Sequence, residues 1–407
     1  MKKLLKPVLL TAFIISSVSA NSQTLKWAKL IGSVKEEYSL NHLKDTAGNM
    51  YISGKTTGSI SGENAGFNDG FLMKLDKAGK MIWKKQFGSG QEEDVQWSAI
   101  DNSGNVYLTG FTTGSLFGKN VGKEDIFIVK FNPEGKQEWQ KQVGTDSTDI
   151  AKGICTDRNG FVYLTGATNG VLGKNSFGKS DCFIMKIDGK GKIVTTRQFG
   201  TSQDDNGYSV TTGANDNLFF CGTTWGDMEG KNAGFIDAFT GHLTSDLEPV
   251  NFKQFGSDGF DMALVVHADS ENNLYVGGST SGNFGGTQSG DGDCFLLKQN
   301  EKGDIIWNKQ FGTEHHDGVR GIEINEDILV SGVMNLPPEK AFVRIYDRNG
   351  NMTWEKTFET DGQGGGTSGK DVVADRDGFT LLGLTGSGIF GPVIGEHDIY
   401  LLKFSRK

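Results

Sequence analysis

The feature that most constrains this chain is an internal repeat of 56 residues. A glycine ends the string KQFG, or a close variant of it, and recurs at that spacing at Gly32, Gly88, Gly144, Gly200, Gly256 and Gly312. A second glycine ends strings such as VYLTG and recurs at Gly54, Gly110, Gly166, Gly222 and Gly278. A repeat of this length is typical of proteins built from similar supersecondary units that pack against their neighbours.

Each repeat contains four short segments with the apolar pattern of β-strands. In the second unit they are Val95 to Asp101, Asn105 to Thr112, Asp125 to Asn132 and Gln137 to Val143, which we name a, b, c and d. The a–b and c–d links are short and rich in Asn, Asp and Gly, which favour tight hairpins. Neighbouring strands are therefore predicted to be antiparallel, and the long loop of each unit joins b to c.

Four antiparallel strands per repeat predict the blade of a β-propeller, and therefore an all-β fold. The chain has seven segments of type a, near Tyr38, Val95, Ile150, Tyr208, Met262, Val319 and Val372. It begins with a lone segment of type d, Leu25 to Gly32, and ends just after one of type c, which starts at Asp398. We therefore expect seven blades, with the N-terminal strand completing the last one. That pairing would close the ring and remove two open sheet edges.

The first twenty residues predict a signal peptide. Lys2, Lys3 and Lys6 precede an apolar stretch from Val8 to Val18, and small residues follow up to Ala20. This pattern predicts export, so residues 21 to 407 would form one propeller that is secreted, periplasmic or on the cell surface. No later segment has eighteen consecutive apolar residues, and the sequence predicts no membrane span.

Charge and cysteine content narrow the expected partners. The formal net charge is −9, which argues against nucleic acid as a partner and suits cations or basic surfaces. The four cysteines lie far apart in the sequence and are interpreted as small buried residues. One disulfide stays open as an alternative, because the predicted compartment is oxidising.

The repeat resembles a known bacterial unit. Residues Asp101 to Gly110 follow the pattern D-x-x-G-N-x-Y-x-x-G, and Asp125 to Trp139 follow D-x-F-x-x-K-x-[DN]-x-x-G-x-x-x-W. Together they are similar to the bacterial β-propeller repeat called the SBBP repeat, over nearly the whole chain after residue 20. The resemblance implies a secreted or surface propeller and supplies no catalytic residues. The sixth and seventh units depart from it: the b–c loop is shortened to Val333 to Glu339, and Glu359 replaces the turn glycine.

Two acidic series follow the repeat on the face that carries the d–a and b–c loops. One starts strand a and consists of Glu37, Glu93, Asp149, Asp205, Asp261 and Asp317. The other starts strand c and consists of Asp69, Asp125, Asp181, Asp237, Asp293 and Asp398. Clustered carboxylates are ligands for calcium, so the first series is a candidate metal ring. The favoured alternative is that each acid accepts N–H groups from its own loop.

The b–c loops carry a second candidate site. They repeat the string GKN, which would place Lys119, Asn120, Lys231 and Asn232 on the rim with Trp225 nearby. Ammonium, amide and aromatic groups suit sugar recognition. The favoured alternative is that asparagine and glycine only shape these loops.

The tryptophans of strand d are expected to be structural. Trp27, Trp83, Trp139, Trp307 and Trp354 occupy one repeat position and should pack between blades. The string from Leu75 to Trp83 is also similar to the tryptophan-docking repeat of quinoprotein dehydrogenases, which ties adjacent blades. The sequence contains no HExxH string and no recognisable Ser-His-Asp pattern.

The sequence therefore favours a monomeric binding scaffold that presents its d–a and b–c loops to an extracellular or envelope glycan or protein. One alternative is a hydrolase or lyase that uses a carboxylate pair in the axial funnel. Catalysis needs one blade to differ from the others, so such a site would lie in the sixth and seventh units. A structural module of an envelope or matrix assembly is the third hypothesis.

Overall fold

The computed structural model describes residues 23–360, 365–389 and 391–405, which form seven four-stranded antiparallel sheets. The described chain contains a single 3₁₀ turn, Ala214–Asp216, and no α-helix. The predicted all-β, seven-bladed propeller is therefore confirmed. The predicted signal peptide lies outside the described residues. Nothing in the described ranges forms a helix with the length and hydrophobicity that crossing a bilayer requires.

Each sheet is one blade, and its strands follow chain order from the innermost, a, to the outermost, d. Blade 1 contains β2 (Glu37–Lys44), β3 (Met50–Thr56), β4 (Asp69–Leu75) and β5 (Met81–Phe87). Blade 2 contains β6 (Glu93–Ile100), β7 (Val106–Thr112), β8 (Asp125–Phe131) and β9 (Gln137–Val143). Blade 3 contains β10 (Asp149–Thr156), β11 (Val162–Thr168), β12 (Asp181–Ile187) and β13 (Ile193–Phe199). Blade 4 contains β14 (Asp205–Thr212), β15 (Leu218–Thr224), β16 (Asp237–Leu243) and β17 (Pro249–Phe255).

The remaining blades follow the same order, except that the last takes one strand from the start of the chain. Blade 5 contains β18 (Asp261–Ala268), β19 (Leu274–Thr280), β20 (Asp293–Gln299) and β21 (Ile305–Phe311). Blade 6 contains β22 (Gly318–Ile324), β23 (Ile328–Met334), β24 (Lys340–Tyr346) and β25 (Met352–Phe358). Blade 7 contains β26 (Thr367–Asp375), β27 (Gly378–Thr385), β28 (Asp398–Ser405) and β1 (Thr24–Ile31).

Strand β1 lies at the outer edge of blade 7. It pairs antiparallel with β28, from Thr24 opposite Ser405 to Ile31 opposite Ile399. The ring of Trp27 lies 3.4 Å from the position that a Cβ would take at Gly79, in the c–d turn of blade 1. The first strand thus contacts both blades at the junction of the two chain ends. That this pairing holds the ring shut stays a prediction.

The hairpin turns have the chemistry that the sequence predicted. In the a–b turn of blade 2, the Gly104 N–H donates to the Asp101 carbonyl oxygen at 2.9 Å, and the φ of Gly104 is +81°. A carboxylate oxygen of Asp101 accepts the backbone N–H groups of Ser103 and Asn105, each at 2.9 Å. Glycine adopts this positive φ without the clash that a Cβ would cause.

An irregularity in strand a explains the second glycine series. In every blade the a–b register shifts near the middle of strand a, and in blade 3 it leaves Lys152 unpaired between Ala151 and Gly153. A Cβ at Gly166, on the neighbouring strand b, would lie only 1.9 Å from the Ile150 carbonyl oxygen. The bulge brings the two backbones so close that only glycine fits.

Hydrophobic clusters between neighbouring blades form the core, and the tryptophans dock there as expected. The indole N–H of Trp83, in blade 1, donates to the Pro133 carbonyl oxygen in the c–d turn of blade 2 at 3.2 Å. Trp139, in blade 2, makes the corresponding bond to Gly189 of blade 3 at 3.1 Å. All four cysteines are free in the described structure: Cys182, Cys221 and Cys294 are buried, and Cys155 is half-buried.

Candidate ligand site in the axial channel

The seven a strands surround the propeller axis, and a cavity of about 270 Å³ lies between them. Residues from every a strand line this cavity, and all come from the second half of their strands. The cavity therefore lies toward the a–b turns. The loops on which sequence reasoning placed the binding face are at the opposite end of the channel.

The cavity wall is chemically asymmetric, although the strands that form it repeat. Blades 2, 3 and 4 contribute mainly apolar and small polar groups, including Trp97, Ile154 and Val210. The other four blades contribute ionisable groups: His42 and Lys44 from blade 1, His267 from blade 5, Glu323 from blade 6 and Asp371 from blade 7. A polar ligand would therefore bind with its charged or hydrogen-bonding groups toward one side of the axis.

Asp371 organises the ionisable side of the cavity. One of its carboxylate oxygens accepts both the backbone N–H and the ring Nδ1–H of His42, each at 2.9 Å. A carboxylate only accepts hydrogen bonds, so His42 carries a proton on Nδ1. The other ring nitrogen, Nε2, belongs to a side chain that has no exposed surface. This atom is buried and has no hydrogen-bond partner among the described residues.

Two neighbouring groups are held in their uncharged forms. Burial, together with the charge of Asp371, raises the pKa of Glu323 to about 8. Its carboxyl group is thus mainly protonated at neutral pH and can donate a hydrogen bond. Burial lowers the pKa of His267, which keeps that imidazole neutral as well.

Lys44, the cationic residue of this side of the cavity, is already paired with a carboxylate. Lys44 Nζ lies 2.5 Å from an Asp375 carboxylate oxygen, and Lys403 Nζ lies at the same distance. Burial alone would raise the pKa of Asp375, but the hydrogen bonds from Lys403 and Lys44 lower it to about 2. Asp375 and its two lysines therefore form a stable charged unit at the edge of the cavity.

The inner acidic series is fully buried. In blade 3, Asp149 Oδ2 accepts the backbone N–H of Thr145 at 2.5 Å and its hydroxyl at 2.8 Å. The corresponding acids, Glu37, Glu93, Asp205, Asp261 and Asp317, bond the serine or threonine that follows their own turn glycine. The six carboxylates are thus engaged separately, each by its own loop. Across the described ranges, no three His, Cys, Asp or Glu side chains form a group suited to a metal ion.

The outer acidic series explains the glutamine of KQFG. In blade 2, Asp125 Oδ2 accepts a hydrogen bond from Gln142 Nε2 at 3.0 Å and another from the backbone N–H of Val121 at 2.9 Å. These bonds tie the b–c loop to strands c and d of the same blade. The repeated string is therefore part of the loop scaffold.

The turn glycine makes room for a pair of acids between neighbouring blades. A Cβ at Gly200 would lie 2.4 Å from Asp181 Oδ1, in blade 3, and 3.1 Å from Asp205 Oδ2, in blade 4. Burial raises the pKa of Asp205, and the charge of Asp181 adds to the shift. The glycine thus permits a close contact between carboxylates of two blades.

The rim residues of the b–c loops stay apart from the channel cavity. Lys119, Lys231 and Trp225 are exposed. Asn120 and Asn232 are half-buried and bond their own loops: Asn120 Nδ2 donates to the Thr113 carbonyl oxygen at 2.9 Å, and Asn232 Oδ1 accepts the Gly234 N–H at 2.9 Å. Glycan binding by this rim stays a prediction.

Sequence reasoning missed the channel residues, although the repeat contained a signal. The position of His42 is occupied by Ile154, Val210 and Val266 in other blades, and that of Glu323 by Ala99 and Thr211. Ionisable residues at positions that are otherwise apolar or small mark where the blades differ. Strand alignment alone does not show that these positions face one cavity.

Comparison with known proteins agrees with this architecture. Residues 138–173 match the family model described as SBBP, a β-propeller repeat. The regulatory protein FlaEY of Caulobacter vibrioides is 26% identical over 191 residues, which are 41% of this chain and 20% of that protein. The matched stretch thus spans only about a fifth of FlaEY.

Two solved structures share the fold. One is a PL25 polysaccharide lyase, an ulvan lyase bound to -[GlcA(1-4)Rha3S]-, with a TM-score of 0.52, 11% identity and coverage of 92% of this chain and 95% of that one. The other is the Pan2 WD40 domain of Neurospora crassa, with a TM-score of 0.51, 10% identity and coverage of 90% and 89%. At such identities the likeness shows the fold alone. The protein is a seven-bladed β-propeller in which residues 138–173 carry an SBBP β-propeller repeat.

Proposed function

We propose that this protein is an exported binding scaffold that holds a polar group of a glycan in the axial cavity. The observation that carries the proposal is the asymmetric wall, with apolar groups from blades 2 to 4 facing ionisable groups from blades 1, 5, 6 and 7. Small-molecule sites combine a mainly apolar lining with a few placed polar groups. Export rests on the predicted signal peptide.

The size of the cavity limits the ligand. About 270 Å³ is near the lower end of the range for small-molecule sites, roughly 300–1,000 Å³. This volume suits one sugar ring or one side chain. Trp97, which is half-buried in the wall, offers an aromatic surface to the apolar face of a sugar. The ulvan lyase with the same fold binds a glycan, which makes glycans the first ligands to test.

The test is a glycan-array screen of the protein from residue 21, followed by calorimetry with any glycan that binds. Asp371→Ser and Glu323→Thr give blades 7 and 6 the residues that blade 4 has at the same positions, Ser209 and Thr211. We expect either change to weaken binding about 10-fold or more, since a buried hydrogen bond is lost. Lys231→Ala, on the exposed rim, is the matched control. Wild-type affinity in both channel variants, or silence across the array, would refute the proposal.

A second candidate function is acid–base catalysis in the same cavity. Asp371 orients the His42 ring, whose Nε2 has no hydrogen-bond partner among the described residues, and Glu323 is a carboxylic acid that is protonated near neutral pH. A base and an acid near one carboxylate are the groups that a hydrolase or lyase requires. Release of sugar fragments from a bound glycan, lost in His42→Gln while binding persists, would favour an enzyme over a scaffold.

A further inference from the structure

The half of the channel nearest the d–a loops contains a different group of residues. Lys152, Arg320 and Lys370 are the unpaired residues in the strand-a bulges of blades 3, 6 and 7. All three side chains are half-buried. Three inner strands thus carry a cation at the same repeat position, in a chain whose net charge is −9.

Contacts indicate where the charged groups lie. Lys152 Nζ is 4.1 Å from the ring centroid of Tyr208, which is the bulge residue of blade 4. Arg320 Nε is 3.6 Å from the position that a Cβ would take at Gly318. The guanidinium group is thus folded back toward the start of its strand, at the end of the channel nearest the d–a loops. Gly318 leaves space for the guanidinium group because it has no side chain. The larger residues Ile150 and Met262 occupy the same position in blades 3 and 5.

These cations form no close ion pairs with the described residues. Within the described ranges, Lys152, Arg320 and Lys370 form no ion pair, and Arg320 Nε is a buried donor without an acceptor. The charge of Glu339, on the b–c loop of blade 6, acts on both Arg320 and Lys370, but its side chain is exposed and forms no ion pair with either. Leaving buried charges unpaired is costly, and Arg320 and Lys370 also repel each other.

Nearby acidic groups do not form ion pairs with these three cations. Asp94 occupies in blade 2 the position that Gly318 has in blade 6. Its carboxylate already accepts hydrogen bonds from Lys55 Nζ at 2.5 Å and from Gln96 Nε2 at 2.9 Å. Burial and the neighbouring Arg320 lower the pKa of Lys370 to about 8, and the opposing effect of Glu339 is smaller. Within the described chain, Glu339 therefore offsets this positive charge only from a distance, without a direct ion pair.

We infer that Lys152, Arg320 and Lys370 form a binding site for a carboxylate, sulfate or phosphate group in the half of the axial channel nearest the d–a loops. The planar guanidinium can donate two parallel hydrogen bonds to an oxyanion, while the lysines act as point charges beside it. The site does not depend on the cavity near the a–b turns, so it can be tested independently of the proposed function.

The experiment measures the melting temperature of the protein from residue 21 with D-glucuronate, with sodium sulfate and with D-glucose at constant ionic strength. At a ligand concentration of about 100 times the Kd, we expect glucuronate or sulfate to raise the melting temperature by about 2 °C or more. Glucose should have no effect through this site. A response to glucuronate alone would identify a carboxylate ligand, and a response to sulfate alone would identify a tetrahedral oxyanion. No response to either anion would overturn the inference.

Matched variants separate this site from general charge effects. Arg320→Leu and Lys370→Gln place in blades 6 and 7 the residues that blades 5 and 2 carry at the same position, Leu264 and Gln96, so both should fold. We expect each to weaken anion binding at least 10-fold and to melt no lower than wild type without ligand. Lys85→Gln, on an exposed outer strand, should bind as wild type. Anion binding that persists in both channel variants would also overturn the inference, whereas Glu323→Thr should leave it unchanged.

Discussion

Blades 2 to 4 and blades 6 and 7 have the same strands but place different residues along the axis. In blades 2 to 4 the second half of strand a contributes Trp97, Ile154 and Val210. In blades 6 and 7, Glu323 and Asp371 enter the cavity, and Arg320 and Lys370 occupy the bulges. The difference teaches that the repeat supports the architecture, while departures from it place the ionisable groups of the cavity in blades 1, 5, 6 and 7, and one further bulge cation, Lys152, in blade 3.

The largest expected effect concerns the outer strand of blade 7, which, unlike that of blade 2, comes from the other end of the chain. The four strands of blade 2 are contiguous, whereas blade 7 takes β1 from the other end of the chain. Deleting Leu25 to Gly32 should lower the melting temperature by about 10 °C or more, because it exposes the edge of β28 and removes the Trp27 contact. Differential scanning calorimetry checks this. An unchanged melt would show that β1 does not stabilise the ring.

The next effect tests what the two groups of blades share, the bulge in strand a. A Cβ at Gly110, in blade 2, would lie 1.8 Å from the Asp94 carbonyl oxygen, and one at Gly332, in blade 6, would lie 2.2 Å from that of Gly318. Either glycine changed to alanine should destabilise the fold by about 1–3 kcal/mol, measured by urea unfolding. Gly90→Ala is the control, since its Cβ would meet nothing within 4 Å. Equal stability of Gly110→Ala and this control would contradict the bulge argument.

A smaller effect concerns pH and separates blade 6 from blade 2. Burial and Asp371 raise the pKa of Glu323 from 4.5 to about 8, so the folded state holds this proton more tightly than the unfolded state. The resulting stability is fully present below pH 4.5 and is lost as pH rises through about 8. Glu323→Gln should remove this component, so its melting temperature should fall less than that of wild type between pH 5 and about 8.5. Parallel curves for the two proteins would indicate that Glu323 ionises normally.

The smallest expected effect concerns a feature common to the regular blades. The inner acids each bond their own loop, as Asp149 does with Thr145. We therefore expect calcium or a chelator to change the melting temperature by less than about 1 °C. A rise of several degrees with calcium would instead support a metal ring, the less favoured of the two interpretations of the acidic series.

The fold was readable from the sequence because its determinants are local and repeated seven times. Apolar alternation predicted the strands, and Asn, Asp and Gly predicted the turns. The number of type-a segments predicted the number of blades. The second glycine series was visible as well, but its cause, the bulge opposite each glycine, is a contact between two strands that no single segment reveals.

The sequence by itself therefore determined the blade count, the hairpins and the loop scaffold around KQFG, since each depends on residues close together in one repeat. Only the tertiary structure decided which side chains meet on the axis. His42 and Asp371 come from opposite ends of the chain and are joined because the ring brings blade 1 beside blade 7. The direction of the Arg320 side chain, likewise, depends on the bulge and on the space beside Gly318. Such contacts follow from packing around a common axis, which local sequence patterns do not encode.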